Sequence, residues 1–206
     1  MSFVREVVLV GGGHTHIQTL KSFARKPPRA TRVTVIVDEP QAVYSGMVPG
    51  FVSGQYRKDE IVIDVHRLSQ LADTRLVEGR VIGVDSHGQK ILLESGEKVA
   101  YDVASFDIGS TVAGFDVQGV QEYAVPTRPI GYLCQQIEQI MGKLSSGNDR
   151  GPINIVVVGG GAGGVELSFT LDQRFGSMGL AANVKMIEKE QELLLTFSPS
   201  IRKPIY

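Results

Sequence analysis

A strand, a glycine turn and a helix occur twice in this chain, 148 residues apart (159 minus 11), and this repetition restricts the fold more than any other feature. In the first copy the apolar run Glu6 to Val10 stops at Gly11-Gly12-Gly13, and Ile17, Leu20 and Ala24 follow at helical spacing. Pro27 and Pro28 end that helix, and Val33 to Val37 form the continuous apolar run expected of a strand covered on both faces. In the second copy Ile153 to Val158 leads into Gly159 to Gly164, a helix starts at Val165, and Val184 to Ile187 supplies the next strand. Each copy reads as a βαβ unit. The predicted class is α/β, with two Rossmann-like, doubly wound parallel-sheet units, at an interval too wide for a solenoid.

Between the copies, Pro40 to Gly54 reads as a loop rich in Gly and Pro, and Ile61 to Ile63 leads into a short helical pattern at Val65, Leu68 and Leu71. Strands are predicted at Leu76 to Val84, Lys90 to Glu94 and Lys98 to Tyr101, separated by His87-Gly88 and Ser95-Gly96. They suggest a small antiparallel excursion hung on the parallel sheet. Val103 to Ile108 returns as an apolar strand ended by Gly109. After Pro129 a helix carries Ile130, Leu133, Cys134, Ile137, Ile140, Met141 and Leu144 on its apolar face and runs into the polar segment Ser145 to Gly151. The expected division is a first domain over 1–144, a linker over 145–152 and a second domain over 153–206.

Composition narrows the function. Lys and Arg number 21 against 22 Asp and Glu, a net charge of -1, so no electrostatic argument favours a nucleic-acid or anionic-membrane partner. No stretch is long enough to span a bilayer. The single cysteine, Cys134, precludes an internal disulfide or C-x-x-C redox pair, so redox chemistry must use a cofactor. Met1 leads straight into an apolar strand without a signal core, which predicts a cytoplasmic protein, or one of an organelle stroma.

A glycine turn between a buried strand and a helix suits a dinucleotide, because the backbone can approach the pyrophosphate and the helix presents unpaired N–H groups. The second copy fits G-x-G-x-x-G fully: Gly159 for the turn, Gly161 for close approach and Gly164 for packing of the helix on the strand. Glu188 follows 24 residues after Gly164 (188 minus 164), where a carboxylate can accept ribose hydroxyls and repel a 2′-phosphate, which favours NADH over NADPH. The first copy keeps Gly11 and Gly13 but has His16 in the third position; its imidazole either pushes helix and strand apart or points toward the ligand. Asp38 or Glu39 is the acidic candidate for the adenosine ribose. His14 and His16 lack a third metal ligand nearby and are expected to cap the helix or pack beside it rather than bind a metal. Glu166 has a purely structural alternative, a favourable acid in the first turn of its helix.

Two such motifs, joined by an antiparallel excursion and a strand ending in Gly109, resemble the pyridine nucleotide-disulfide oxidoreductase superfamily of two-dinucleotide-domain flavoproteins. Gly159-Gly160-Gly161-Ala162-Gly163-Gly164-Val165-Glu166 looks like the NADH site of type II NADH dehydrogenases and sulfide:quinone oxidoreductases. Val10-Gly11-Gly12-Gly13-His14-Thr15-His16, Tyr44-Ser45-Gly46-Met47-Val48-Pro49-Gly50 and Ser105-Phe106-Asp107-Ile108-Gly109-Ser110 look like the flavoprotein module fused to selenide, water dikinase.

The resemblance implies FAD held by the turn Gly11, Gly12, Gly13 and His14 and by Asp38 or Glu39. Ser45, Gly46 and Met47 would lie along the flavin side, with Gly109 letting the return strand approach FAD. Gly159, Gly161, Gly164 and Glu188 would hold NAD(P)H, with Glu166 at the catalytic position near the nicotinamide. The implied activity is hydride transfer from NADH to flavin and on to a small-molecule acceptor such as a quinone. The alternative to this activity is a non-catalytic nucleotide-binding regulatory module linked to selenide, water dikinase as fusion or partner, or an inactive truncated fragment; a homodimer formed through an exposed sheet edge is a further expectation. The 54 residues from Ile153 to Tyr206 (206 minus 153 plus 1) suffice for one βαβ unit, so the second domain is expected to be incomplete and the chain a fragment.

Overall fold

The computed structural model describes residues 4–146 and 151–203. In chain order the elements are β1 (Arg5–Val10), α1 (His14–Arg25), β2 (Thr31–Val37), β3 (Gln41–Val43), a 3-10 turn (Ser45–Met47), α2 (Val48–Ser53), α3 (Lys58–Ile61), β4 (Val62–Asp64), α4 (Val65–Leu71) and β5 (Arg75–Glu78). There follow β6 (Val81–Asp85), β7 (Lys90–Leu93), β8 (Lys98–Ala100), β9 (Val103–Phe106), α5 (Val120–Tyr123), α6 (Ile130–Ser146), β10 (Ile153–Val158), α7 (Ala162–Ser177), β11 (Ala182–Ile187) and α8 (Pro199–Arg202). They form two compact units, one from 4–44 and 62–132, the other from 45–61 and 133–203. The second is thus discontinuous in sequence, and residues 147–150 of the expected linker lie outside the described residues.

The first unit is built on a parallel sheet of order β5-β2-β1-β9. Alternation along its strands divides the core in two. Leu9, Val33, Val35 and Val37 pack with Ile17 and Leu20 of α1 and Val65 of α4. Val8, Val10, Ile36 and Val77 pack with Ile91, Leu93 and Val99 of the antiparallel sheet β6-β7-β8. The excursion is therefore a separate layer covering the second face of the parallel sheet, rather than an extension of its edge. The predicted strand at Leu76 to Val84 divides accordingly: β5 stays in the parallel sheet, and Gly79 N–H closes onto the Val37 carbonyl at 2.8 Å before β6 enters the other layer.

In the second unit β10 and β11 pair in parallel and α7 packs against both. Their alternation leaves Val156, Val158 and Ile187 exposed. The Gly/Pro-rich segment expected to be a loop is helical in its centre. Pro49 lies in the first turn of α2, where its missing N–H costs nothing, and Gly54 ends the helix with a left-handed φ of 86°. The helix buries Phe51 and Val52 and packs against α7.

Candidate dinucleotide sites

In the first unit the parallel strand β1 delivers the chain into a tight turn. Gly11 has a φ of 95°, and a Cβ there would lie 2.3 Å from the Asp107 carbonyl oxygen, so both conformation and close approach require glycine. Gly13 caps α1 without any side-chain acceptor of its own. Asp107, from the segment just after β9, supplies one: its Oδ2 accepts the Thr15 N–H at 2.8 Å and the His16 N–H at 3.3 Å.

His16 packs beside its helix and does not push helix and strand apart. The ring is buried and bonded, with Nδ1 2.8 Å from the Gly11 carbonyl oxygen and Nε2 2.9 Å from Ser105 Oγ. A carbonyl only accepts, so Nδ1 carries the hydrogen, and in the neutral ring Nε2 accepts from the Ser105 hydroxyl. The imidazole bridges helix and strand instead of separating them. His14 behaves differently, stacking on Tyr44 with centroids 5.0 Å apart and planes 24° from parallel. Asp38 and Glu39 follow β2 at the surface, and the Glu39 N–H donates to Asp38 Oδ1 at 3.1 Å. Gly109 has a φ of 74° and open space where a Cβ would stand.

The three motif glycines of the second turn differ in conformation and surroundings. Gly159 adopts a φ of 106°, Gly161 has nothing within 4 Å of where a Cβ would stand, and a Cβ on Gly164 would stand 1.9 Å from the Gly159 carbonyl oxygen. Glu188, just after β11, reaches back to this turn. Its Oε2 accepts the Gly160 N–H, while Oε1 accepts the Lys189 N–H at 2.7 Å and the Glu190 N–H at 3.2 Å. The Gly160 amide, followed by those of Glu190 and Lys189, holds the carboxyl below its ordinary value. A carboxylate has about four lone-pair directions, so three amides leave capacity for a ribose hydroxyl.

Glu166 is exposed on α7, in the second turn rather than the first, so a first-turn dipole role does not apply. Ser45, Gly46 and Met47 form the 3-10 turn of the second unit, whereas Gly11, Gly12, Gly13 and His14 belong to the first. Sequence reasoning assigned no role to Ser105 or Asp107. A signal existed: positions 105 and 107 are two apart and point to the same side of an extended segment. Among the described residues no group of three His, Cys, Asp or Glu is gathered in metal-binding proximity, and no helix is long and apolar enough to cross a membrane.

Two βαβ units, each with a glycine turn at a helix N-terminus and carboxylates at the end of its second strand, place the chain among two-dinucleotide-fold α/β proteins. Residues 5–205 match the family described as pyridine nucleotide-disulphide oxidoreductase, and the chain belongs to that family. It is 25% identical over 94% of its length to an alternative NAD(P)H-ubiquinone oxidoreductase C1, chloroplastic/mitochondrial, of Arabidopsis thaliana, covering 40% of that protein. It is 28% identical over 61% of its length to the demethylphylloquinone reductase NdbB of Synechocystis, covering 31% of it. The chain thus spans less than half the length of these relatives. Among solved structures, its fold is similar to NDH2 of Plasmodium falciparum in complex with NADH, at a TM-score of 0.73 and 16% identity, covering 97% of this chain and 44% of that one. It is also similar to an NAD-dependent persulfide reductase from A. fulgidus, at a TM-score of 0.75 and 18% identity, covering 96% and 37%.

Proposed function

We propose that the protein is an FAD-dependent NAD(P)H oxidoreductase with a quinone-type acceptor, holding FAD at Gly11 to His14 and NADH at Gly159 to Gly164. The observation that carries this reading is the second turn, where Gly161 leaves the backbone open, Gly164 lets the helix close on the strand, and Glu188 stands at the strand end. When bound, the cofactors supply the chemistry: hydride passes from the nicotinamide to the flavin, whose electrons then go to the acceptor.

The chain's own residues bind and orient. The amides of the two turns receive the pyrophosphates, Glu188 receives the nicotinamide-dinucleotide ribose, and Asp38 or Glu39 receives the flavin-dinucleotide ribose. Glu166, exposed on α7, serves beside the nicotinamide, and Gly109 lines the flavin. The names of the Arabidopsis and Synechocystis relatives support the quinone class of acceptor.

The test is an anaerobic titration of purified, FAD-loaded protein with NADH. Bleaching of the flavin band supports the reading, and stoichiometric FAD that NADH leaves unbleached would overturn it. Gly13→Val should abolish FAD binding by distorting the turn, because a Cβ there would already stand 2.1 Å from the Asp107 carboxyl group.

A further inference from the structure

The two glycine turns differ in a way their spacing conceals. A Cβ on Gly161 would meet nothing within 4 Å, whereas a Cβ on its counterpart Gly13 would lie 2.1 Å from the Asp107 carboxyl group. The side of the first turn that corresponds to the open side of the second therefore faces a carboxylate. That carboxylate accepts the Thr15 and His16 amides, at 2.8 and 3.3 Å. The Asp107 backbone is fastened to the same turn, its carbonyl accepting the Gly13 N–H at 3.0 Å and its N–H donating to the Val10 carbonyl at 2.8 Å. An anionic group thus rests on the partly positive end of α1, where a pyrophosphate would be drawn.

We propose that Asp107 sets the affinity of this turn for a dinucleotide by competing with its pyrophosphate for the Thr15 and His16 amides. The inference rests on the reading of Gly11 to His14 as the FAD turn. Two effects act in the same direction. The carboxylate already satisfies two of the orphan donors of α1, so a phosphate that uses them must displace it. It also places like charge beside the incoming diphosphate in a partly desolvated setting, where screening is weaker than in water. In return Asp107 keeps the helix start capped in the free protein, a role Gly13 cannot perform. Asp107 is a specificity-determining residue here, not a catalytic one.

The experiment compares wild type, Asp107→Asn and Asp107→Ala as full chains, by flavin titration and by thermal unfolding with and without FAD. Asp107→Asn keeps an acceptor of the same shape but no charge. It should bind FAD at least tenfold more tightly, show a lower Tm than wild type without FAD, and gain more in Tm than wild type when FAD is added. Asp107→Ala should shift affinity in the same direction. NADH affinity should be unchanged in both variants, because Gly161 faces no such carboxylate. Unchanged or weaker FAD binding by both variants, with wild type binding FAD, overturns the inference and leaves the cofactor reading standing. If none of the three proteins retains FAD, the reading of the turn itself falls, and the inference with it.

Discussion

His16 Nδ1 stands 2.8 Å from the carbonyl oxygen of Gly11. The matching oxygen in the second unit, that of Gly159, is the atom a Cβ on Gly164 would strike at 1.9 Å. One position in the repeat therefore has two solutions, an absent side chain that lets helix and strand touch, and an imidazole that joins them by hydrogen bonds to Gly11 and Ser105.

Restoring the consensus glycine at position 16 should therefore destabilise the first unit. His16→Gly removes a buried ring and its hydrogen bonds to the Gly11 carbonyl and the Ser105 hydroxyl, and adds backbone freedom, for a combined cost of about 2 to 5 kcal/mol. Urea unfolding should show a lower midpoint. A midpoint equal to wild type would mean that α1 simply moves in toward β1 to close the space.

Gly164→Ala addresses the other solution. The clash is with backbone, so α7 must shift away from the turn, at about 1 to 3 kcal/mol. NADH binding should weaken at least tenfold while FAD content stays as in wild type. Equal NADH affinities, measured by calorimetry, would show that the turn tolerates the displacement.

The carboxylate of Glu188 ionises more readily in the folded protein than its ordinary value of 4.5, because the Gly160 amide and those of Glu190 and Lys189 bind its charged form. Its stabilising contribution is therefore present above that ordinary value and is lost as pH falls through the lower folded value. Glu188→Gln should melt below wild type near neutrality, and the two curves should converge in acid. A constant gap at every pH would place the effect in packing instead. Glu188→Ala should also relax the preference for NADH over NADPH, read as the ratio of the two kcat/KM values.

Cys134 lies buried on α6, and burial pushes its thiol up to about 11 from an ordinary 9.0. At pH 8 the thiolate fraction is then about 0.1%, roughly a hundredfold below that of an ordinary thiol. Native protein should react with a disulfide reagent at least that much more slowly than the urea-unfolded chain. Rapid labelling of folded protein would contradict the burial described above.

Strands β1, β2, β10 and β11 were legible because continuous apolar runs bounded by glycine or proline have few other uses. The positive φ at Gly159 and the close packing at Gly164 could be read from spacing because the backbone geometry of that turn is local. Two features escaped for the same reason, dependence on distant partners. Segment 48–53 reads as a loop from its Gly and Pro content, whereas their positions, Pro49 in the first turn and Gly54 past the last, suit a short helix that packs on α7. Ser105 in β9 and Asp107 just after it share one side of an extended segment, but that this side meets α1 follows only from the pairing of β9 with β1.

The split of the second unit into 45–61 and 133–203 has a consequence for synthesis. Between the end of α2 at Ser53 and the start of α7 at Ala162 lie 109 residue steps (162 minus 53). A ribosome adding about 5 to 20 residues per second takes roughly 5 to 22 s to cross that interval. Throughout it Phe51 and Val52, buried in the finished fold, are denied the α7 surface that packs against their helix. Pro49, Gly50 and Gly54 lie beside them, residues that discourage the β-pairing by which exposed apolar segments of nascent chains aggregate. The same glycines and proline that disguise the helix in the sequence thus shield it while it waits for its partner.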